Sequence, residues 1–381
     1  MSNFIRVAER NLPRVYLGTM TFGWEQSSTP VTLEIATEMI QKAKNVGIVY
    51  YDSARIYAGG ATEPILGQAL TILGYKNDPT IKVTTKAHPS QPNGLSSEGL
   101  ILQLTKSLEA LGLSYVDEFY LHQPDTENDL AVSLQAAHEL IQKGLIRRLG
   151  MSNYHESEVE RAVQLCQENS WTQPTIYQGL YNPLNRRVEK SLLPILRKYN
   201  IDFIAFNALA AGLLTGKHKR IVENTNTTTT SDNVNNNNNN NNNETTEVLP
   251  GRFKNNPNYL PRFYTSVNFD AIDIIIASLP PGIDLVTATY KWLFCHSALL
   301  PTDGILFGAS SLSQLDNNLA AYSYAQTSEP LPEQTLQAFN EAWRIIDESE
   351  TSFAYWRSYS KDHPNRENLD PGASYNAAKT K

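Results

Sequence analysis

The sequence predicts an α/β protein, a closed single-domain barrel of eight parallel strands with helices between them. Two observations support this fold. Short apolar runs typical of buried strands recur along the 381 residues. Between them lie stretches such as LEIATEMIQKAKNVG, in which apolar residues recur at steps of three and four and a Gly ends the pattern. An open doubly wound sheet is the alternative, but no GxGxxG follows a strand at the start of a helix.

The strand-like runs are spaced evenly enough to alternate with helices, which favours parallel βα units. They are RVYLG at 14–18, IVYYD at 48–52, KVTTK at 82–86, DEFYLH at 117–122, IRRLGMS at 146–152, TIYQ at 175–178, DFIAF at 202–206 and GILFG at 304–308. Helical patterns such as SEGLILQLTKSLEALG and LAVSLQAAHELIQKG separate these runs and also end at Gly.

Two polar segments depart from this rhythm. From Glu223 to Glu247 the chain is almost wholly polar, with nine consecutive Asn at 235–243. This segment cannot bury enough apolar surface to offset its ordering entropy, so we predict a disordered insert after strand seven. The polar stretch from Ser358 to Lys381 predicts a flexible C-terminal tail. Residues 1–357 then form the barrel.

Composition excludes several classes of protein. The net charge of −7 gives no general basic surface for nucleic acid. Cys166 and Cys295 are the only cysteines, which rules out a four-cysteine zinc site, and both are expected to be buried packing residues. The N-terminus lacks the apolar core of a signal peptide, and no run approaches the roughly 18 apolar residues of a membrane span. We therefore expect a cytoplasmic protein without a membrane partner.

Four ionisable residues lie where functional groups of a parallel barrel collect, at the C-terminal ends of strands. Asp52, Lys86 and His122 each close a strand, and Tyr57 follows Asp52 by five residues. A free Tyr has a pKa of about 10, too high for efficient proton transfer at neutral pH. A neighbouring ammonium favours the phenolate, a carboxylate can hold that ammonium, and a His can donate a hydrogen bond to a carbonyl oxygen. A strand-end histidine beside a barrel ion pair is the structural alternative.

The motifs DSARIYAGGATEPILG, VTTKAHP and FYLHQPD resemble those of the aldo-keto reductases. LGTMTFG, LGMSNYHESEV, PTIYQGLYN, LAAGLLTGK and GASSLSQLDNNLA are similar to the aflatoxin aldehyde reductase branch, and the resemblance runs from about Leu17 to about Trp343. It implies a (β/α)8 TIM barrel, NADPH, and hydride transfer to an aldehyde or ketone. By the same resemblance Tyr57 is the general acid, Lys86 lowers its pKa, Asp52 pairs with Lys86, and His122 positions the carbonyl.

The resemblance also implies a set of cofactor-binding residues at the strand ends and in the loops after strands seven and eight. They are Asp52, Ser152, Asn153, Gln178, Phe206, Asn207, Leu209, Gly212, Leu213, Thr215, Lys217, Arg252, Gly308, Ser310, Ser311, Gln314 and Asn318. Many members of the superfamily place an Arg where Gln314 stands, so recognition of the 2′-phosphate of NADPH must depend on other residues. The branch usually reads NPLAGG where this chain has Ala208 and Ala211.

The expected substrate is a small aldehyde or ketone that contacts His122. Tyr259 and Arg262 match a segment that contacts the substrate in the aflatoxin aldehyde reductase branch, and Arg357 corresponds to that branch's terminal arginine. Two cations at the pocket would suit an aldehyde that carries a carboxylate, such as succinic semialdehyde. They could instead be solvated charges or bind a cofactor phosphate.

A regulatory subunit resembling potassium-channel β subunits is the alternative function, because those proteins share the barrel and the cofactor motifs. The motifs of this chain are more similar to the reductase branch. The resemblance also implies a homodimer, since relatives in that branch are often dimers.

Overall fold

The computed structural model describes residues 11–24, 30–220, 253, 259–327, 329–349, 352–369 and 373. The predicted insert at 223–247 and the predicted cofactor residue Arg252 lie outside the described residues.

Eight parallel strands form a closed barrel, as predicted. The strands are β1 Arg14–Gly18, β2 Tyr50–Asp52, β3 Lys82–Ala87, β4 Val116–Leu121, β5 Ile146–Ser152, β6 Ile176–Leu180, β7 Asp202–Phe206 and β8 Gly304–Gly308. Each strand pairs with the next one along the chain, and β1 pairs with β8 to close the cylinder. Asp52 at the end of β2 lies opposite Gly18 of β1 and Thr84 of β3.

Helices surround the barrel. They are α1 Leu33–Asn45, α2 Thr62–Ile72, α3 Ser97–Leu111, α4 Leu130–Gln142, α5 Glu156–Glu168, α6 Leu192–Lys198, α7 Leu260–Phe263, α8 Ser266–Ala277, α9 Leu285–Cys295, α10 Leu312–Thr327 and α11 Glu333–Asp347. The predicted helix stops Gly47, Gly112 and Gly144 have φ of 83°, 64° and 71°. Gly adopts this left-handed conformation without a Cβ clash, so the chain can turn from helix to strand there. No described helix combines the length and apolar character needed to span a membrane.

The interior of the barrel is filled, which leaves its strand ends as the place for a site. Tyr16, Tyr120, Ile176 and Ile204 form a buried cluster inside the cylinder. The hydroxyls of Tyr16 and Tyr120 donate to the buried Glu118 carboxylate over 2.9 and 2.6 Å. Burial raises the pKa of Glu118, and these hydrogen bonds oppose that shift. A larger apolar core lies between the strands and the helices and includes Cys166, whose thiol pKa burial raises to about 12.

The C-terminal segment differs from the flexible tail that we predicted from Ser358 onward. In residues 358–369, Tyr359, Ser360 and His363 are buried. The Ser360 N–H donates to the Glu158 carboxylate over 2.5 Å, and the Asp362 carboxylate accepts from the first N–H of α4 over 3.0 Å. The polar composition of the segment suggested solvation, but its polar groups bind the ends of α4 and α5 instead. Apart from Ala373, residues 370–381 lie outside the described part of the chain.

Candidate active site

A buried ion pair between neighbouring strands forms the centre of the site. Lys86 Nζ lies 2.7 Å from both carboxylate oxygens of Asp52 and donates to the Ser53 carbonyl over 2.6 Å. The Thr84 hydroxyl and the Gln178 amide each donate to Asp52 Oδ1 over 2.9 Å. Burial lowers the pKa of Lys86, but the Asp52 carboxylate and the Tyr57 phenol together raise it above its ordinary value. The ammonium is therefore charged at neutral pH.

Tyr57 begins the 3₁₀ turn Tyr57–Gly60, which follows β2 in the chain. Lys86 Nζ lies 5.0 Å from the centre of the Tyr57 phenol ring. The His122 ring stands edge-on to Tyr57, with 5.8 Å between the ring centres. The structure thus brings together all four residues that the sequence singled out as candidate catalytic groups.

His122 is enclosed by groups that disfavour its protonation. The ring of His88 lies edge-on at 5.2 Å from its centre. Burial, followed by electrostatic repulsion from His88, Lys86 and Arg357, lowers the pKa of His122 well below its ordinary value. Its Nδ1 is buried and has no hydrogen-bond partner among the residues described. His122 is therefore a neutral imidazole at physiological pH.

A cavity of about 300 Å³ extends from the barrel mouth between the loop after β7 and the start of α10. Nine predicted cofactor residues line it: Asn207, Leu209, Gly212, Thr215, Lys217, Gly308, Ser310, Gln314 and Asn318. Four others lie elsewhere: Ser152 ends β5, Asn153 follows it, Gln178 lies in the middle of β6 opposite Ser152, and Phe206 ends β7. The Leu213 side chain is buried in the core, so it does not line the cavity.

The loop after β7 has a backbone suited to an anion. Asn207, Ala210, Ala211 and Gly212 have positive φ of 60°, 48°, 59° and 107°. Successive turns of this kind direct backbone N–H groups into a concave surface, which can hold phosphate oxygens. Lys217 follows at the end of the loop and lines the same cavity.

The opposite wall begins at β8. Gln314 Oε1 accepts from both the backbone N–H and the hydroxyl of Ser310, over 2.9 and 3.0 Å. The Ser311 hydroxyl accepts from the Gln314 N–H over 3.2 Å, and the Asn318 amide donates to the Gly308 carbonyl over 3.1 Å. These contacts order the start of α10 against β8 and present hydroxyl and amide groups beside the cavity.

The C-terminal segment reaches the mouth of the barrel. The Arg357 N–H donates to the Asn153 carbonyl over 3.0 Å, and the Asn153 amide donates to the His122 carbonyl over 2.9 Å. The Arg262 guanidinium lies 4.3 Å from the ring centre of Phe353 and donates to the Ala354 carbonyl over 3.1 Å. Tyr259 stacks on Phe263 with ring centres 5.6 Å apart. Arg262 thus contacts the segment 353–357, which ends at Arg357, while Tyr259 packs on Phe263 beside it.

Comparison with known proteins identifies the family. The model of the aldo/keto reductase family matches residues 14–342. The chain belongs to the aldo/keto reductase family. It is 34% identical to human "Aldo-keto reductase family 7 member A3" over 90% of this chain and 97% of that protein. It is 35% identical to rat "Aflatoxin B1 aldehyde reductase member 2", over 88% of this chain and 85% of that protein. A fungal "Aldo-keto reductase MYCFIDRAFT_156381" from Pseudocercospora fijiensis is 33% identical over 81% of this chain and 97% of that protein.

These matches confirm the resemblance to the aflatoxin aldehyde reductase branch, and as a member of this family the protein is an enzyme, an oxidoreductase. A regulatory subunit was the alternative from the sequence, but the relatives named above are reductases. In the described part of the chain, no cluster of His, Cys, Asp and Glu is arranged to hold a metal ion.

The cavity of this aldo/keto reductase also has walls that the sequence did not single out. They include Thr21, Trp24, His218, Tyr290, Leu306, Ala309 and Asn317. Three of these had a usable signal: His218 directly follows Lys217, Ala309 lies between Gly308 and Ser310, and Asn317 lies three residues after Gln314 on the same face of α10. Trp24 and Tyr290 come from distant parts of the chain and had none.

Proposed function

We propose that this protein is an NADPH-dependent aldehyde reductase in which Tyr57 supplies the proton. The observation that supports this most directly is the position of Lys86 Nζ, 5.0 Å from the centre of the Tyr57 ring, with Asp52 buried against that ammonium. Members of the family use nicotinamide cofactors, generally NADPH. Some relatives are named aflatoxin B1 aldehyde reductases. We therefore expect the substrates to be aldehydes, including dialdehydes of the aflatoxin type.

Reduction of a carbonyl adds a hydride to its carbon and a proton to its oxygen. The bound nicotinamide supplies the hydride. The Tyr57 hydroxyl donates the proton, and the Lys86 ammonium stabilises the phenolate that remains. Asp52 keeps Lys86 charged and in place. The ion pair is enclosed by protein, where a fixed charge acts more strongly than in water.

His122 orients the carbonyl as a neutral hydrogen-bond donor. We assign its proton to Nε2, because the buried Nδ1 has no partner among the described residues and the ring is held neutral. A neutral N–H beside the carbonyl oxygen favours the charge that develops there, without competing with Tyr57 as the acid. This assigns acid and donor roles to two different side chains.

The residues present fit a dinucleotide cofactor. Ser152, Asn153 and Gln178 would hold the nicotinamide amide, with Phe206 against its ring. The loop 207–217 would hold the pyrophosphate on its backbone N–H groups, and residues 308–318 would hold the adenosine. Lys217, Ser310, Ser311 and Arg252 are the candidates for the 2′-phosphate, because Gln314 is uncharged. The preference for NADPH over NADH therefore depends on these groups.

Arg262 and Arg357 extend the proposal to aldehydes that carry a carboxylate, such as succinic semialdehyde. Arg262 donates to the Ala354 carbonyl in the segment 353–357. Arg357 ends this segment, and its backbone N–H donates to the Asn153 carbonyl. A guanidinium can bind a carboxylate through two parallel hydrogen bonds. We also expect the enzyme to be cytoplasmic and to form a homodimer.

The proposal is tested by cofactor oxidation with purified protein. We expect NADPH to be oxidised in the presence of 4-nitrobenzaldehyde or succinic semialdehyde, and NADH to be oxidised more slowly. Absence of turnover with a panel of aldehydes, while NADPH still binds, would contradict the enzymatic role and favour a cofactor-binding regulatory protein.

A further inference from the structure

A partly buried ion pair, Arg55 with Glu63, lies outside the pocket, at the base of the turn that carries Tyr57. Glu63, the second residue of α2, is fully buried. Its Oε2 accepts from Arg55 Nη1 over 2.7 Å, and its Oε1 accepts from the Thr85 hydroxyl over 2.6 Å. A carboxylate without water needs such partners, so its position is tied to both of them.

Strand β3 links this pair to the catalytic ion pair. Thr84 and Lys86 both contact Asp52 inside the barrel. Thr85 lies between them, and its side chain points to the opposite face of the strand because successive residues alternate. That face meets α2, where Glu63 accepts from Thr85. Three consecutive residues of one strand thus bind two carboxylates: Thr84 and Lys86 bind Asp52 on one face, and Thr85 binds Glu63 on the other.

Arg55 holds both ends of the Tyr57 turn. Its backbone N–H donates to the Lys86 carbonyl over 3.3 Å, before the turn. Its guanidinium packs on Gly60, the last residue of the turn, where a Cβ would lie 2.8 Å from Nη2. Within this turn, Ala58, Gly59 and Gly60 have φ of 48°, 63° and 98°. Gly59 and Gly60 adopt positive φ without strain, but Ala58 has a Cβ, and its left-handed conformation persists only where the surroundings enforce it.

We propose that Arg55, Glu63 and Thr85 form a positioning device for Tyr57, which fixes the phenol against the Lys86 ammonium. The inference rests on the proposed function, since it assigns these residues an effect through the proton donor. None of the three touches the reacting atoms. They connect the turn that carries Tyr57 to the strand that carries Lys86, so the separation of the two groups depends on them.

The test compares Glu63→Gln with the unaltered enzyme. The amide retains the size of the side chain but removes the charge that holds Arg55. We expect the rate of hydride transfer in a single turnover with NADPH and 4-nitrobenzaldehyde to fall roughly ten- to a hundredfold, because small misplacements of reacting groups have effects of this size. The dissociation constant for NADPH should not change. Thr85→Val, which leaves the Arg55 contact in place, should act in the same direction with a smaller effect and also serves if Glu63→Gln does not fold.

A cofactor-free measurement reports the position of the phenol itself. The ionisation of Tyr57 is followed by ultraviolet absorbance as the pH is raised. The signal of the same protein carrying Tyr57→Phe is subtracted, which leaves the titration of Tyr57 alone. A phenol that moves away from the ammonium ionises at higher pH. We therefore expect the titration in Glu63→Gln to shift upward, together with the basic limb of the pH–rate profile.

Asp303→Asn is the matched control. The Asp303 carboxylate is equally buried and binds Arg197 over 2.5 and 2.9 Å, but it precedes β8 at the opposite end of the barrel. This variant should lose stability while its hydride-transfer rate and Tyr57 titration stay unchanged.

The outcomes separate the inference from the proposed function. If Glu63→Gln loses stability as Asp303→Asn does, with an unchanged rate and titration, the pair is structural only and the inference is wrong. If Tyr57→Phe itself retains the full rate, the proposed function is wrong. A slow Glu63→Gln with an upward-shifted titration supports both.

Discussion

Lys86 and Asp52 form an ion pair that is enclosed by the barrel: the ammonium lies 2.7 Å from each carboxylate oxygen, and neither residue is more than 1% exposed. Taking two charges out of water is unfavourable, and their mutual attraction offsets this only while both partners are present. We therefore expect the loss of either charge to lower the stability of the barrel as well as its activity.

Asp52→Asn should lower the free energy of unfolding by about 3–5 kcal/mol, because it leaves a buried ammonium without its counter-charge. The double variant Asp52→Asn with Lys86→Met removes both charges and should recover part of this loss. Urea denaturation of the single and double variants measures the difference. A double variant that is less stable than Asp52→Asn would contradict this account.

Tyr57→Phe should lower kcat for carbonyl reduction by roughly 10²- to 10⁴-fold, the usual contribution of general acid–base catalysis. Phe keeps the ring beside Lys86 but cannot donate a proton, so the affinity for NADPH should stay nearly unchanged. Steady-state rates and a fluorescence titration with NADPH test the two halves of the prediction. An unaltered kcat would show that another group supplies the proton.

Acid should destabilise the native protein through His88. Burial lowers the pKa of His88 to about 4, so the native ring stays neutral while the ring in the unfolded chain takes up a proton near its ordinary pKa of 6.5. The resulting stabilisation is full above that value and is lost as the pH falls toward about 4. The loss amounts to about 2 kcal/mol between about pH 7.5 and about pH 5. Urea denaturation of His88→Asn should show an acid sensitivity smaller by this amount, and equal sensitivities would contradict the assignment.

Ala211→Gly should stabilise the loop after β7. Ala211 has φ of 59° and ψ of 13°, a left-handed conformation that is unfavourable for a residue with a Cβ. Gly removes that penalty but adds freedom to the unfolded chain, so the net gain in unfolding free energy should be about 0.5–1 kcal/mol. Ala208→Gly, at a position where φ is not positive, should lower it instead. Loss of stability in both variants would show that the loop is not strained.

Arg262→Met should lower kcat/KM for succinic semialdehyde roughly ten- to a hundredfold, because a hydrogen bond to a charged group contributes about 1.5–3 kcal/mol. Met retains the aliphatic stem beside Phe353, so the segment 353–357 keeps part of its packing. Reduction of the uncharged 4-nitrobenzaldehyde should change far less. Equal losses with both aldehydes would point to a role in cofactor binding or in ordering the segment.

The sequence alone was sufficient for the barrel and for the four central residues. Strand and helix periodicity is local, and glycines such as Gly112 stop helices by their own conformational freedom. Parallel strands bring their C-terminal ends to one face of a barrel whatever packs around them. The convergence of Asp52, Lys86 and His122 therefore follows once the eight strands are recognised.

The tertiary structure alone decided the contacts that join distant parts of the chain. The polar residues of 358–369 looked like a solvated tail, yet the Ser360 N–H donates to the buried Glu158 carboxylate of α5 and Asp362 accepts from the first N–H of α4. The sequence did not single out Glu63, yet its buried carboxylate accepts hydrogen bonds from Arg55 and Thr85. A polar side chain stays in water unless the protein interior offers it a hydrogen-bonding or charged partner. That partner is fixed by the packing of the whole barrel and not by neighbours in the sequence.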